Sequence, residues 1–228
     1  MDAIHQNVQI PAAGVVLEAE ITLPDPARGL VLVGHGSGSS RHSPRNRFMA
    51  SHLQGAGLAT VLADLLTEEE ERRDALTFEL RFDIELLATR LAALTDWLVG
   101  NEHTAGLGLG LLGASTGAAA MLVAAEVRPA AARAVVCRGG RPDLAGEHLP
   151  QVRQPVLLIV GGRDSLIIDL NRKAMKNLGG QARLVTIPGA TPLVEEPGAL
   201  EERPNWPTTG SPNGSQQIPN TRSANVSR

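Results

Sequence analysis

Leu107-Gly-Leu-Gly-Leu-Leu-Gly-Ala-Ser-Thr-Gly117, continued by the Ala-rich run Ala118 to Val127, is the stretch that decides the fold. A short apolar run, a glycine-rich turn and a longer run of small and aliphatic residues read as strand, sharp turn and buried helix. The turn holds Gly113-Ala114-Ser115-Thr116-Gly117, a G-x-S-x-G. In this setting the serine backbone is strained and its hydroxyl stands above the sheet edge. Small neighbours are required because strand and helix nearly touch there. The helix N-terminus adds backbone N–H groups and a partial positive charge. Ser115 is the candidate nucleophile.

The same stretch contains Gly108-Leu109-Gly110-Leu111-Leu112-Gly113, which matches the letters of a dinucleotide fingerprint. It lies within the strand rather than after it, and no acidic residue follows at about 20 positions. Its glycines read as thinning of a central strand.

Outward from this unit, further short apolar runs recur: Leu30 to Val33, Ala59 to Ala63, Ala134 to Val136, Val156 to Val160 and Leu184 to Ile187. Runs of this kind suit parallel strands covered on both faces. Val15 to Leu23 instead alternates apolar and polar residues, as expected of a half-buried strand near a sheet edge. Helical stretches are expected at Asn46 to Gln54, Phe82 to Val99, Thr116 to Val127 and Leu166 to Leu178. In the second of these, Ile84, Leu87, Leu91, Leu94 and Leu98 form one stripe. The alternation predicts an α/β fold with a mostly parallel, doubly wound sheet and helices on both faces. Glu68 to Glu71 reads as a solvated loop face. Residues 1–202 are expected to form the folded unit. Residues 203–228, with four Pro, four Ser, four Asn and no acidic residue, form an irregular tail.

Composition narrows the function. Of 228 residues, 43% are hydrophobic and only 2% aromatic, so the core is aliphatic and single-strand stacking on aromatics is disfavoured. A net charge of −3 lacks the basic footprint of a nucleic-acid binder. Cys137 is the one cysteine, which excludes an intrachain disulfide and a Cys-based zinc cluster. No basic region followed by an apolar run opens the sequence, and no run of 18 apolar residues spans a membrane. The expectation is a cytoplasmic protein, monomer or homodimer, with no nucleic-acid or membrane partner.

Serine chemistry also needs donors for an oxyanion. Val33-Gly-His-Gly-Ser-Gly-Ser-Ser40 ends a strand in a Gly/Ser loop, and the N–H groups of Ser37 and Thr116 are the expected pair. His35 precedes the donor and is read as holding the loop rather than moving protons.

These segments, with Arg138-Gly-Gly-Arg-Pro-Asp-Leu-Ala-Gly146 and Pro155-Val-Leu-Leu-Ile-Val-Gly-Gly-Arg-Asp164, resemble the dienelactone-hydrolase-like group of small bacterial α/β-hydrolases from about Val8 to Glu202. The resemblance implies hydrolysis of small carboxylic esters without metal or organic cofactor. It places the triad acid at Asp164, whose task is to orient a histidine and stabilise its imidazolium. Dienelactone hydrolases carry a Cys nucleophile in the elbow. This chain has Ser115 there, and Cys137 is read as a buried small hydrophobe. Arg138, and with it Arg141, is a candidate for holding an anionic group of the substrate.

The resemblance breaks near its end. Triad order in this fold is Ser, Asp, His. The six histidines are His5, His35, His42, His52, His103 and His148, and none follows Asp164. The position matching the family's histidine is Pro192. The closing C-terminal helix of the family is missing from the pattern, since the Pro-rich tail begins where it belongs. His148 is the nearest candidate for a substitute base, although a structural role suits it better. Two functions follow: an impaired serine esterase acting on a small-molecule ester, or a catalytically silent binding protein of the same fold.

Overall fold

The computed structural model describes residues 3–36 and 39–191. Ser37, Pro192, the closing-helix region and the tail from 203 lie outside the described residues.

Eight strands form one sheet in the order β1-β2-β4-β3-β5-β6-β7-β8. They are β1 (Ala3–Ala12), β2 (Val15–Pro24), β3 (Leu30–Gly34), β4 (Ala59–Ala63), β5 (Leu109–Ala114), β6 (Ala132–Arg138), β7 (Val156–Gly161) and β8 (Ala182–Ile187). From β4 onward across the sheet every neighbouring pair is parallel, while β1/β2 and β2/β4 are antiparallel. The helices are α1 (Pro44–Gly55), α2 (Glu68–Thr77), α3 (Ile84–Gly100), α4 (Thr116–Val127) and α5 (Ser165–Asn177), with 3₁₀ turns at Leu80–Phe82 and Pro142–Gln151. The α/β class and the mostly parallel sheet agree with the sequence reading.

Both faces of the sheet are used. Leu32, Val61, Leu111, Val135 and Leu158 point into one large core against α3 and α4, where Leu87, Leu91, Leu94 and Leu98 supply the expected stripe. Ala118 to Ala125 of α4 are all buried, because this helix lies against the central strands. Opposite, Val33, Leu62 and Leu112 pack on Met49 and Ala50 of α1. The aliphatic core follows from the composition: the phenylalanines Phe48, Phe78 and Phe82 are all exposed.

Three readings need correction. Glu68 to Glu71 is not a loop but the first turn of α2. Thr67 caps it, accepting from the Glu70 N–H while the Glu70 carboxylate accepts from the Thr67 N–H. Glu70 also takes two hydrogen bonds from the buried guanidinium of Arg90, at 2.7 and 2.6 Å, tying α2 to α3. That pairing holds the Glu70 carboxyl below its ordinary range despite partial burial. Secondly, the edge itself is β1, a strand the sequence reading did not include, and β2 lies beside it, near the edge as expected. Thirdly, the strand before the elbow begins at Leu109 rather than Leu107, since its ladder with β3 begins at Leu30↔Leu109. Gly110 and Gly113 lie inside β5, as expected of a thinned strand rather than a nucleotide loop.

Candidate active site

Ser115 stands between the end of β5 and the first turn of α4 with φ 53° and ψ −129°. Positive φ at a non-glycine residue is costly and persists only where the surroundings enforce it. Here they do. A methyl group on Gly113 would stand 2.5 Å from the Gly117 carbonyl oxygen, and one on Gly117 would stand 3.0 Å from that of Gly34. The glycines of the motif therefore let β5, α4 and the end of β3 approach closely enough to hold the turn. Thr116 is the first residue of α4, so its N–H has no acceptor within the helix.

The loop after β3 closes against the serine. A methyl on Gly36 would lie 2.7 Å from Ser115 Cβ and 3.2 Å from its Oγ. Ser37, the expected oxyanion donor, is the next residue. His35 is buried, with Nε2 3.1 Å from Asp64 Oδ1 and Nδ1 3.2 Å from the Gly36 carbonyl. Both ring nitrogens are engaged by these oxygens, which fixes the ring within the loop. The residue ties the loop after β3 to the end of β4. Burial opposes the Asp64 charge, but hydrogen bonds from His35 and the Arg41 N–H, with both their charges, outweigh it. The carboxyl is held below its usual range, and its second oxygen pairs with the Arg41 guanidinium.

Asp164 follows β7 as the N-cap of α5, accepting from the Ile167 N–H at 3.1 Å. It is two strands from the elbow, about 10 Å at ordinary strand spacing. Direct contact with the serine is out of reach at that separation, whereas an interposed imidazole would span it. The loop that would bring an imidazole is already fastened there. Gly162 N–H donates to the Ile187 carbonyl at 2.8 Å, and Arg163 N–H to that of Ala190 at 3.2 Å. Thr191 follows directly on this junction. Among the described residues, no side chain hydrogen-bonds the Ser115 hydroxyl.

His148 does not supply the base. Its ring bridges Glu126 of α4, at 3.2 Å, and Glu85 of α3, at 3.1 Å. Glu126 belongs to the last turn of α4 and Ser115 caps its first, a rise of about 16 Å. The structural role is the one the structure gives it. Cys137 is fully buried in β6, its thiol pushed up to about 12 by burial. It behaves as the expected small hydrophobe, not as a nucleophile.

Arg138 is 2% exposed at the end of β6, in register with Ala114. Burial, and then the charge of Arg45, lowers its guanidinium to about 10. Arg141 instead forms a bidentate pair with Asp143, while its backbone N–H donates to the Ser115 carbonyl at 3.1 Å. Two further residues were not singled out from sequence. Gly140 sits so close to α4 that a methyl there would collide with Ala118 Cβ. Asn171 of α5, fully buried, donates to the Gly140 carbonyl at 3.1 Å. It links the helix capped by Asp164 to the loop lying over the elbow.

A parallel sheet whose strained serine lies between a central strand and a buried helix, with a glycine loop against its hydroxyl, defines an α/β-hydrolase. The family model of the Dienelactone hydrolase family matches residues 17–191, and the chain belongs to that family. A dienelactone hydrolase from Anabaena variabilis superposes with a TM-score of 0.84 at 54% identity, over 87% of this chain and 92% of that one. A cold-adapted esterase from an Arctic intertidal metagenomic library shares the fold, with a TM-score of 0.68 at 18% identity over 82% and 85%. Two Mycobacterium tuberculosis proteins, from strains H37Rv and CDC 1551, each named "Putative phosphoribosyl transferase", are 53% identical over 197 residues. That is 86% of this chain but 44% of theirs, so the chain spans less than half the length of these relatives. Among the described residues, no helix is long and apolar enough to cross a membrane.

Proposed function

We propose that this hydrolase-family chain acts on small carboxylic esters through Ser115. The observation that carries the reading is the backbone of Ser115, held at φ 53° by glycine contacts on both sides. Such strain is retained where it presents a reacting group. Ser115 Oγ attacks the ester carbonyl, the C–O bond to the alcohol breaks, and an acyl-serine remains for water to hydrolyse. The N–H groups of Ser37 and Thr116 hold the oxyanion. Asp164 is the acid for orienting an imidazole. Arg138, at the end of β6, is the residue of this reading for an anionic group of the substrate. No metal or organic cofactor enters this scheme.

With Pro192 at the expected histidine position the reaction lacks its base. Loss of the histidine from a serine triad costs on the order of a million-fold in turnover, leaving roughly 10³–10⁴ over water. The chain is therefore an impaired esterase. The transferase name of the tuberculosis proteins belongs to chains of which the match spans 44%, while residues 17–191 here match the hydrolase-family model.

The test is hydrolysis of a short-chain p-nitrophenyl ester by the parent, Ser115→Ala and Pro192→His. Slow turnover lost in Ser115→Ala and raised in Pro192→His supports the reading. Equal rates in all three, no faster than free solution, favour a silent binding protein instead.

A further inference from the structure

We propose that the outer edge of β1 pairs antiparallel with β1 of a second copy of this chain, joining two sheets across a two-fold axis. This surface lies away from the serine site and does not depend on the esterase reading.

β1 is the outermost strand and pairs with β2 without interruption from Ala3↔Pro24 to Ala12↔Val15. β2 meets β4 only through Ala19 to Thr22. The hairpin thus presents a long, regular edge. An edge strand exposes a row of N–H and C=O groups, and proteins guard such rows with charge, proline, bulges or brevity. Ala3 to Ile10 contains no Asp, Glu, Lys, Arg or Pro, and its ladder has no bulge. The opposite edge, β8, is shorter and carries Arg183. β1 is the less guarded edge of the two, since its one proline, Pro11, stands beside the hairpin turn.

The prolines of the hairpin show which groups face outward. Pro24 pairs with Ala3, and Pro11 with Val16. Proline has no N–H, so it fits a ladder where its nitrogen points away from the neighbouring strand. Antiparallel pairs alternate between facing and averted groups. Both proline pairs involve odd-numbered residues of β1, so Ala3, His5, Asn7 and Gln9 turn their backbone groups outward.

An antiparallel register centred on Asn7 joins these outward groups to one another. Asn7 then faces the partner's Asn7, and His5 faces the partner's Gln9. Ala3 faces the partner's Pro11, which still offers its carbonyl. The side chains are self-complementary in the same register. Ile10 is fully buried and Val8 packs partly on the core, whereas Ile4 on the same face is 53% exposed. The pairing sets Ile4 beside the partner's Ile10 at either end of the seam, with Gln6 beside the partner's Val8 between them. On the other face His5 and Gln9 are already engaged with Thr22 and Glu18, leaving no unpaired charge at the seam.

Light scattering after size exclusion on the full chain tests this, with Asn7→Pro and Asn7→Cys. The parent is expected at twice its 24.0 kDa. Asn7→Pro removes an outward N–H only and is expected at half the parent's mass, with unchanged circular dichroism. Because Cys137 is buried, the new thiol of Asn7→Cys is the accessible one. It is expected to give a disulfide-linked dimer under mild oxidation, while Ser51→Cys on the exposed side of α1 does not. A parent that stays monomeric at its highest soluble concentration overturns the proposal. So does cross-linking of Asn7→Cys no faster than Ser51→Cys, which decides the matter even if Asn7→Pro fails to fold.

Discussion

Replacing Ser115 by glycine should make this protein more stable, and replacing it by alanine should not. Serine at φ 53° and ψ −129° occupies backbone space that L side chains rarely enter. Strain of this kind costs roughly 1–3 kcal/mol. Glycine relieves it, at a penalty of about 0.4–1 kcal/mol from the freer unfolded chain. The net expectation for Ser115→Gly relative to Ser115→Ala is a gain of about 0.5–2 kcal/mol. The comparison with alanine matters because both variants lose the hydroxyl and only one loses the Cβ. Ser115 Cβ also faces Gly36, so removing it relaxes the contact with the loop after β3. At about 2–4 °C per kcal/mol for a domain of this size, the glycine variant should melt roughly 1–8 °C higher. Urea denaturation should show the same shift in midpoint with the slope unchanged. Equal stability of the two variants, or a less stable glycine variant, would refute the claim that the elbow stores strain.

Glu70→Gln strands the buried Arg90 guanidinium and weakens the α2 cap, and should cost about 2–4 kcal/mol in urea denaturation, discounted because Glu70 is partly exposed. Since the folded Glu70 carboxyl is held below its ordinary range, its contribution is present above pH about 4.5 and lost as pH falls through the folded value. The acid limb of the stability profile should flatten in the variant. For His148, burial opposes the charge, but the hydrogen bonds and charges of Glu126 and Glu85 prevail and raise the imidazolium above its usual 6.5. The clamp between α3 and α4 is therefore complete below pH 6.5 and is lost as pH rises through the folded value. His148→Gln should lose that pH dependence of melting temperature. Cys137, pushed up to about 12, should resist alkylation at neutral pH in the native protein and react at once in denaturant. Rapid native labelling would contradict its burial.

The elbow was legible in the sequence because its chemistry is local. A strand, a G-x-S-x-G and a helix fully buried by Ala side chains leave one arrangement, and α4 begins and ends at the residues expected. The stripe of α3 was legible for the same reason. β1 was not, because most of its residues are exposed and it is a strand through pairing with β2 rather than through an apolar pattern. α2 was hidden by its charge: Glu68 to Glu71 resembles a solvated run until Thr67 and Glu70 are read together as a capping box. At the site, Ser115, Thr116 and Asp164 occupy the turn and strand end that the motifs imply. Asn171, Gly140 and the Arg141 N–H act on the elbow across long stretches of chain, and no spacing in the sequence announces such contacts. His148 was a candidate base only by proximity in sequence, and the length of α4 separates it from the serine.

The measurement closest to the central claim is mass spectrometry of the protein after incubation with an activated p-nitrophenyl ester. Without a base, deacylation is slow as well as acylation, so an acyl-enzyme should accumulate once formed. The account predicts one acyl group, located by peptide mapping on Ser115 and absent from Ser115→Ala. An unlabelled protein, or an acyl group on another residue, would contradict it.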